Sequence, residues 1–292
     1  MTTAITSDDR RLPREPLRVA AVQAVSRAGD VEHNVASAAR WVGMAADAGA
    51  CLVVLPELFL SGYEPRVLGA HPDACDVTPD DVRLDPLRQA ARSIGAAVIV
   101  GASLRQPDGR RTVSILAVAA DGEATVAYSK QHLWDQERML FTAGTSGAAV
   151  ILHDWPLGLG ICYDGCFPEH ARAASDAGAL AYVCPSAYVV GSEHRRDLYY
   201  AARALDNGFY VVLSGLSGPC GSLSFSGGTA IYDPQGRPVA KVEAEEGIAV
   251  ADLDPQAVAE ARRINPYDRD RRDTLGGRTR TVLNPKNVTA QR

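Results

Sequence analysis

The sequence lacks any apolar stretch long enough to cross a membrane. Its longest apolar run, near Ala96 to Leu104, is far shorter than the ~20 residues that a bilayer requires. Residues 1–16 are polar and charged, without the apolar centre of an export signal. We therefore expect a cytoplasmic protein that has no membrane partner.

An excess of positive charge is also lacking. The 30 Lys and Arg residues face 35 Asp and Glu residues, so the net charge is −5, which argues against nucleic-acid binding. The Arg-rich stretch after Asn265 interleaves aspartates with its arginines. We expect this stretch to be a solvated segment or an arm that contacts another subunit, rather than a segment that binds nucleic acid.

Cysteine is sparse and scattered, which excludes a small disulfide scaffold. The six cysteines are Cys51, Cys75, Cys162, Cys166, Cys184 and Cys220. In a chain without an export signal, free thiols are the expectation.

No linker rich in Pro, Gly or Ser divides the 292 residues, and no fixed-period repeat occurs. Hydrophobic residues make up 46% and charged residues 22%, which is typical of a soluble globular chain. We therefore predict one domain at 17–264, preceded by a polar lead at 1–16 and followed by a tail at 265–292.

Strand and helix patterns alternate at the start of the domain. A buried strand at Leu17–Gln23 is followed by a helix at Asn34–Ala50 and a strand at Cys51–Leu55, then by a helix at Pro86–Ile94 and a strand at Ala97–Gly101. Turn sequences typical of hairpins occur at 107–109, 121–122 and 233–236. This mixture predicts an α/β fold with mixed β-sheets and helices packed outside them.

The second half repeats the alternation. The sequence predicts strands at Leu157–Ile161, Ala181–Cys184 and Tyr210–Ser214, with helices from Pro168 and over His194–Asn207. Cys162 follows the first of these strands and precedes the first of these helices. A turn between a strand and a helix can expose a nucleophile. Most free cysteines, however, are small buried core residues, and the position of Cys162 alone favours a core residue.

Other ionisable residues also follow predicted strands. Glu57 lies among apolar neighbours after Cys51–Leu55, where loss of hydration would raise its pKa towards the range useful for proton transfer. Lys130 follows the strand that ends at Ser129. Taken singly, Lys130 also fits a surface lysine, and Glu137 fits an exposed loop charge.

Three segments together resemble the signature segments of the nitrilase-like carbon–nitrogen hydrolases, in order and spacing. They are LPELFLSGYEP at 55–65, YSKQHLWDQERMLFTAG at 128–144 and LGLGICYDGCFPEHAR at 157–172. Further similar segments are Pro185–Tyr188, Ala202–Val212 and Ser226–Ala240. The resemblance covers roughly Leu17 to Leu253.

The resemblance implies a four-layer αββα sandwich, homo-oligomers and catalysis without a cofactor or metal. It also implies that Glu57 is the general base, Lys130 the electrostatic helper, Cys162 the nucleophile and Glu137 a fourth, supporting residue. Lys130 and the backbone N–H of Tyr163 would then hold the negatively charged oxygen that forms during attack.

Within the family, Cys-Tyr-Asp at 162–164 resembles the amidases more than the true nitrilases. Gly165 and Cys166 occupy positions where carbamoyl-D-amino-acid hydrolases carry carboxylate-binding arginines, which disfavours that activity. Arg195 and Arg196 are candidates for carboxylate recognition or for surface ion pairs. We expect hydrolysis of a small linear amide to an acid and ammonia through a thioester, with ureido or nitrile hydrolysis as alternatives.

Four aromatic residues are expected to shape the substrate pocket or, alternatively, to pack in the core. They are Tyr63, Trp134, Tyr163 and Tyr188. A non-hydrolase alternative is a metal site at Cys162, Cys166 and His170, which are spaced four residues apart. Pro168 disfavours the single helix that would align these three residues.

Overall fold

The computed structural model describes residues 12–243, 245–272 and 274–283. Most of the predicted lead at 1–16 and the end of the predicted tail at 265–292 therefore lie outside the described residues.

The α-helices are α1 Val31–Asp47, α2 Pro65–Ala70, α3 Pro72–Cys75, α4 Asp85–Ile94, α5 Glu137–Leu140, α6 Pro168–Asp176, α7 Glu193–Asn207, α8 Pro255–Ile264 and α9 Tyr267–Asp270, and 3-10 helices span Val82–Leu84 and Cys162–Cys166. The strands are β1 Leu17–Gln23, β2 Leu52–Val54, β3 Ala97–Arg105, β4 Arg111–Val118, β5 Ala124–Ser129, β6 Ala149–Leu152, β7 Trp155–Leu159, β8 Ala181–Ser186, β9 Tyr210–Gly215, β10 Ser217–Cys220, β11 Leu223–Ser226, β12 Ala230–Tyr232, β13 Pro238–Lys241 and β14 Gly247–Leu253.

The first sheet has six strands in the order β14-β1-β2-β3-β4-β5. Strands β1, β2 and β3 are parallel, as the strand–helix alternation predicted, because each connection crosses back over the sheet. The β3–β4 and β4–β5 pairs are antiparallel, which confirms the two hairpins predicted from their turn sequences.

The second sheet has the order β13-β12-β9-β8-β7-β6 and repeats this plan. Strands β7, β8 and β9 are parallel, and antiparallel strands flank them. The β12–β13 pair confirms the third predicted hairpin. A separate two-stranded hairpin, β10–β11, lies beside this sheet.

The two sheets pack face to face, with helices on the outside. Helices α1 and α4 pack together against the first sheet, and α6 and α7 pack together against the second. Strands β1 and β9 meet across the interior, where the Ser214 hydroxyl donates a hydrogen bond to the Val22 carbonyl at 2.7 Å. The predicted αββα sandwich with mixed sheets is confirmed.

The boundaries of α1 show how local chemistry fixes an element. The helix begins at Val31, before the predicted Asn34, because the Asp30 side chain accepts a hydrogen bond from the His33 backbone N–H. It ends at Asp47, and Gly49 adopts the left-handed conformation that ends the turn.

Several elements were not predicted from the sequence, namely strands β6, β10, β11 and β14, the short helices α2, α3, α5 and α9, and helix α8. Strand β14 pairs with β1 along its whole length, from Leu17 opposite Leu253 to Gln23 opposite Gly247. In the part of the chain that the structure describes, no helix has the length and apolar composition needed to cross a membrane.

Candidate active site

The ends of strands from both sheets meet at one place. Glu57 follows β2 and Lys130 follows β5 in the first sheet, whereas Cys162 follows β7 in the second. Gly101 on β3 lets the Glu57 segment approach closely, because a Cβ there would lie 2.4 Å from the Pro56 carbonyl oxygen. The Gly101 N–H donates to that same oxygen at 3.0 Å. The backbone before Glu57 is therefore fixed directly to the neighbouring strand.

Cys162 occupies a sharp turn between β7 and the following 3-10 helix. Its φ of +42° lies in the left-handed region, which a residue with a side chain adopts at an energetic cost. The Tyr200 hydroxyl donates a hydrogen bond to the Cys162 carbonyl at 3.0 Å and holds the turn. The predicted turn between strand and helix is confirmed, with a short 3-10 helix inserted before α6.

Lys130 lies between two carboxylates. Its Nζ donates to Glu57 Oε1 at 2.7 Å and to both Glu137 oxygens at 2.8 Å. Glu137 also accepts hydrogen bonds from the Tyr63 hydroxyl at 2.5 Å and from the Trp134 backbone N–H at 2.8 Å. Glu137 is only 3% exposed, so its interpretation as an exposed loop charge is wrong. It lies beside Lys130, and the supporting role that the resemblance implies stays a prediction.

Burial controls the ionisation of the central groups. Loss of hydration raises the pKa of Glu57 to about 7, since it outweighs the attraction of Lys130. Burial alone would lower the pKa of Lys130, but Glu57 and Glu137 raise it, so the ammonium is charged.

Burial also raises the pKa of the Cys162 thiol well above its usual value, and the neighbouring Glu57 charge adds to that rise. The resting thiol is therefore protonated. Glu57 Oε2 is buried and has no hydrogen-bond partner in the described chain, while the Cys162 thiol is close enough to lower the Glu57 pKa. This carboxylate oxygen is available to accept the thiol proton.

A cavity opens in front of Cys162, Lys130 and Glu137. All four aromatic residues predicted to shape the pocket line it, namely Tyr63, Trp134, Tyr163 and Tyr188. Trp134 is 43% exposed and forms part of the rim, whereas Tyr63 and Tyr188 are buried. The cavity offers about 90 Å³ to water-sized molecules, which favours a small substrate.

Comparison with known proteins agrees with this geometry. Residues 18–263 match the family described as Carbon-nitrogen hydrolase. The chain belongs to the carbon–nitrogen hydrolase family. This carbon–nitrogen hydrolase is 34% identical over 263 residues to a Pseudomonas protegens protein described as "Hydrolase in pqqF 5'region", covering 89% of this chain and 90% of that protein.

Two amidases are also similar. An (R)-stereoselective amidase of Pseudomonas sp. is 32% identical over 265 residues, which cover 89% of this carbon–nitrogen hydrolase and 93% of the relative. A variant of the Nesterenkonia sp. AN1 amidase superposes with a TM-score of 0.75 at 28% identity, covering 89% and 98% of the two chains. In that structure, the acetamide moiety of fluoroacetamide is added covalently to the active-site cysteine.

These relatives confirm the predicted amidase-type branch of the nitrilase-like superfamily. The chain is therefore a hydrolase that acts on carbon–nitrogen bonds other than peptide bonds.

The two arginines that were candidates for carboxylate recognition or for surface ion pairs lie in different surroundings. Arg195 lines the cavity of this carbon–nitrogen hydrolase and donates to the Ser192 hydroxyl at 3.3 Å, without a carboxylate partner among the described residues. Arg196 points elsewhere, because its guanidinium donates to Asp197 and to the backbone carbonyls of Ser226 and Gly227. Of the two alternatives for Arg196, the structure favours the ion pair, which it forms with Asp197 at 2.8 Å, although the side chain is buried rather than on the surface.

The alternative metal site at Cys162, Cys166 and His170 is not assembled. Hydroxyl groups of Tyr128 and Tyr182 lie 2.9 Å from the two His170 ring nitrogens. Cys166 Sγ instead lies 3.4 Å from the Tyr188 hydroxyl.

Within the described residues, the set of potential ligand atoms close enough to share an ion is His132, Asp164 and His170. No role for His132 or Asp164 was predicted from the sequence, although Asp164 belongs to the Cys-Tyr-Asp triplet that resembles the amidases. The sequence feature that could have indicated them is their position, since His132 lies two residues after Lys130 and Asp164 lies two residues after Cys162.

Proposed function

We propose that this enzyme hydrolyses a small linear amide to a carboxylic acid and ammonia through a thioester on Cys162. The observation that carries the proposal is a buried thiol and a buried ammonium that line one small cavity, together with a carboxylate that contacts the ammonium and has one free oxygen. These three groups supply a nucleophile, a base and a fixed positive charge.

In the first half-reaction, Glu57 takes the Cys162 thiol proton while Sγ bonds to the amide carbonyl carbon. The carbonyl oxygen becomes negative, and Lys130 Nζ with the Tyr163 backbone N–H stabilises it. The carbon–nitrogen bond then breaks as Glu57 returns the proton to the amide nitrogen. Ammonia leaves, and the acyl group remains on sulfur.

In the second half-reaction, Glu57 removes a proton from water, and the water oxygen bonds to the thioester carbon. The carbon–sulfur bond breaks when the negative oxygen reforms its double bond, and the proton on Glu57 passes to the Cys162 sulfur. A pKa of about 7 suits a group that must both accept and donate a proton near neutral pH.

Glu137 supports this chemistry through Lys130. Its two oxygens each accept a hydrogen bond from Lys130 Nζ, which also donates to Glu57, so the ammonium is held between the two carboxylates and cannot rotate freely. The remaining donors to Glu137, Tyr63 and the Trp134 backbone N–H, fix the carboxylate in turn. We infer that Glu137 orients Lys130 towards the position of the substrate oxygen.

The amidase names of the relatives support amide over nitrile hydrolysis, and the adduct in the Nesterenkonia amidase supports a cysteine nucleophile. Arg195 favours a second candidate substrate class, which would be hydrolysed by the same mechanism. Because this guanidinium lines the cavity without a carboxylate partner among the described residues, it suits an amide or ureido substrate that carries its own carboxylate.

The test is ammonia release over a panel of small amides, carboxylate-bearing amides, ureido acids and nitriles. We expect amides to react fastest, and Cys162→Ala to reduce kcat by at least about 10³-fold. Cys51→Ala, at a partly buried thiol before β2, is the control and should retain activity. Mass spectrometry of quenched reactions should find the acyl mass on Cys162. Full turnover by Cys162→Ala would refute the proposal.

A further inference from the structure

Asp164 is a buried carboxylate that accepts four hydrogen bonds. Its Oδ2 accepts from the Ile161 backbone N–H at 3.0 Å and from the Tyr128 hydroxyl at 2.8 Å. Its Oδ1 accepts from the His132 backbone N–H at 2.9 Å and lies 2.8 Å from His132 Nδ1. The side chain is fully buried, so these protein donors replace the water that an exposed carboxylate would bind.

These donors come from the two segments that carry the proposed nucleophile and its helper. Ile161 and Asp164 flank Cys162, whereas the tyrosine and histidine lie two residues before and two residues after Lys130. The Asp164 backbone N–H also donates to the Ile161 carbonyl at 2.9 Å, so the two residues are joined by a reciprocal pair of hydrogen bonds. This pair encloses Cys162 in its left-handed conformation.

The hydrogen atoms of the surrounding network have one self-consistent order. Because the Tyr128 hydroxyl donates to Asp164, its oxygen must accept from His170 Nε2–H, at 2.9 Å. His170 Nδ1 then has no hydrogen and accepts from the Tyr182 hydroxyl, also at 2.9 Å. Burial lowers the pKa of His170, which agrees with this neutral ring. The Tyr128 proton is therefore directed at Asp164.

We propose that Asp164 is a positioning residue that fixes the Cys162 turn relative to Lys130, and thereby sets the path of sulfur towards the substrate. The proposal rests on the proposed function of Cys162. An ionised carboxylate suits this place because all four neighbours donate. An amide has only one accepting oxygen, and its NH₂ group would face one pair of those donors.

The expected loss is in the rate of bond formation rather than in substrate affinity. Asp164 is absent from the cavity lining, so KM for a small amide should change less than about threefold. A displacement of about 1 Å between reacting groups costs on the order of 10²-fold in rate, and we expect Asp164→Asn to lower kcat by about that factor.

The experiment compares the wild-type enzyme, Asp164→Asn and Tyr128→Phe, with Tyr210→Phe as the matched control. Tyr210 is another buried tyrosine whose hydroxyl bonds to a backbone N–H, that of Asp254, away from the cavity. Two readouts are taken on folded protein: kcat and KM for amide hydrolysis, and the rate of iodoacetamide alkylation of Cys162 followed by peptide mass spectrometry. Tyr128→Phe keeps the question answerable if Asp164→Asn does not fold.

We expect both kcat and the alkylation rate of Cys162 to fall in Asp164→Asn, and by a smaller factor in Tyr128→Phe, whereas Tyr210→Phe resembles the wild type. A role in stability alone would lower the unfolding temperature and leave both rates per folded molecule unchanged, which would overturn the proposal. Retained turnover in Cys162→Ala would instead overturn the proposed function, and the alkylation rates would still test the role of Asp164.

Discussion

Glu57→Gln should make the protein more stable while abolishing its activity. Glu57, Lys130 and Glu137 together hold two carboxylates and one ammonium in a buried site, so ionisation of both acids leaves one uncompensated negative charge. A glutamine has nearly the same shape, its oxygen can accept the Lys130 hydrogen bond, and it carries no charge. The substitution leaves Lys130 and Glu137 as a balanced pair.

The pKa of Glu57 sets the size and the pH range of this effect. In the folded protein, the pKa of Glu57 is raised from 4.5 to about 7, so the folded protein binds this proton more tightly than the unfolded chain does. A shift of this size corresponds to a free-energy difference of about 3 kcal/mol. Below about pH 4.5 both states are protonated, and the variant gains nothing from the lost charge. Wild-type stability then falls as the pH rises to about 7, so the advantage of Glu57→Gln reaches up to about 3 kcal/mol by pH 8.

Urea unfolding of both proteins at pH 5 and pH 8 measures the difference directly, and ammonia release measures the activity. The free energy of unfolding of Glu57→Gln should exceed that of the wild type by much more at pH 8 than at pH 5. A variant that is less stable than the wild type at pH 8, or a difference that does not depend on pH, would refute the electrostatic reasoning. Full amidase activity would refute the role of Glu57 as base.

Three other predictions concern the same segments. Because Glu57 must be ionised to act as the base, kcat/KM should rise through an inflection near pH 7 and at pH 6 should be about one tenth of its plateau; a flat profile from pH 5.5 to 8.5 would contradict this. Lys130→Met leaves two buried carboxylates without their cation, so at pH 8 it should lower the free energy of unfolding in urea by about 3–5 kcal/mol, and by less at pH 5. An equal loss at both pH values would exclude that cause. Gly101→Ala should displace the Glu57 segment and lower kcat at least about tenfold, whereas Gly43→Ala in α1, where nothing lies within 4 Å of the new Cβ, should retain kcat and add up to about 1 kcal/mol of stability. Wild-type kcat in Gly101→Ala would show that this close contact does not control the site.

The sequence predicted the main parts of the fold and of the site because both depend on strand ends. Buried strands are visible as short apolar runs, and Glu57, Lys130 and Cys162 each follow such a run. The predicted strand before Cys162 ended at Ile161, whereas β7 ends at Leu159 and a 3-10 helix starts at Cys162. Element boundaries depend on individual turns, which apolar patterns do not resolve.

Properties that arise from long-range packing could not be read from the sequence. Glu137 lies in a polar segment, and its burial depends on contacts with two other parts of the chain. Tyr63 is distant in sequence, and Lys130 follows β5 rather than lying on α5. Adjacent arginines look alike in sequence, but the helix turns Arg195 towards the cavity and Arg196 towards the backbone of β11. The four donors around Asp164 likewise meet only after the two sheets have packed.

The division of the reactive groups between two sheets has a consequence for how this enzyme fails. A slight slide of one sheet over the other would separate the sulfur from its proton acceptor while every strand kept its hydrogen-bonded neighbours. Circular dichroism would then still report an intact protein when turnover had already stopped. The catalytic rate is thus more sensitive to the relative position of the two sheets than any signal from secondary structure. A substitution that disturbs the packing between the sheets should therefore reduce activity before it changes the circular dichroism spectrum.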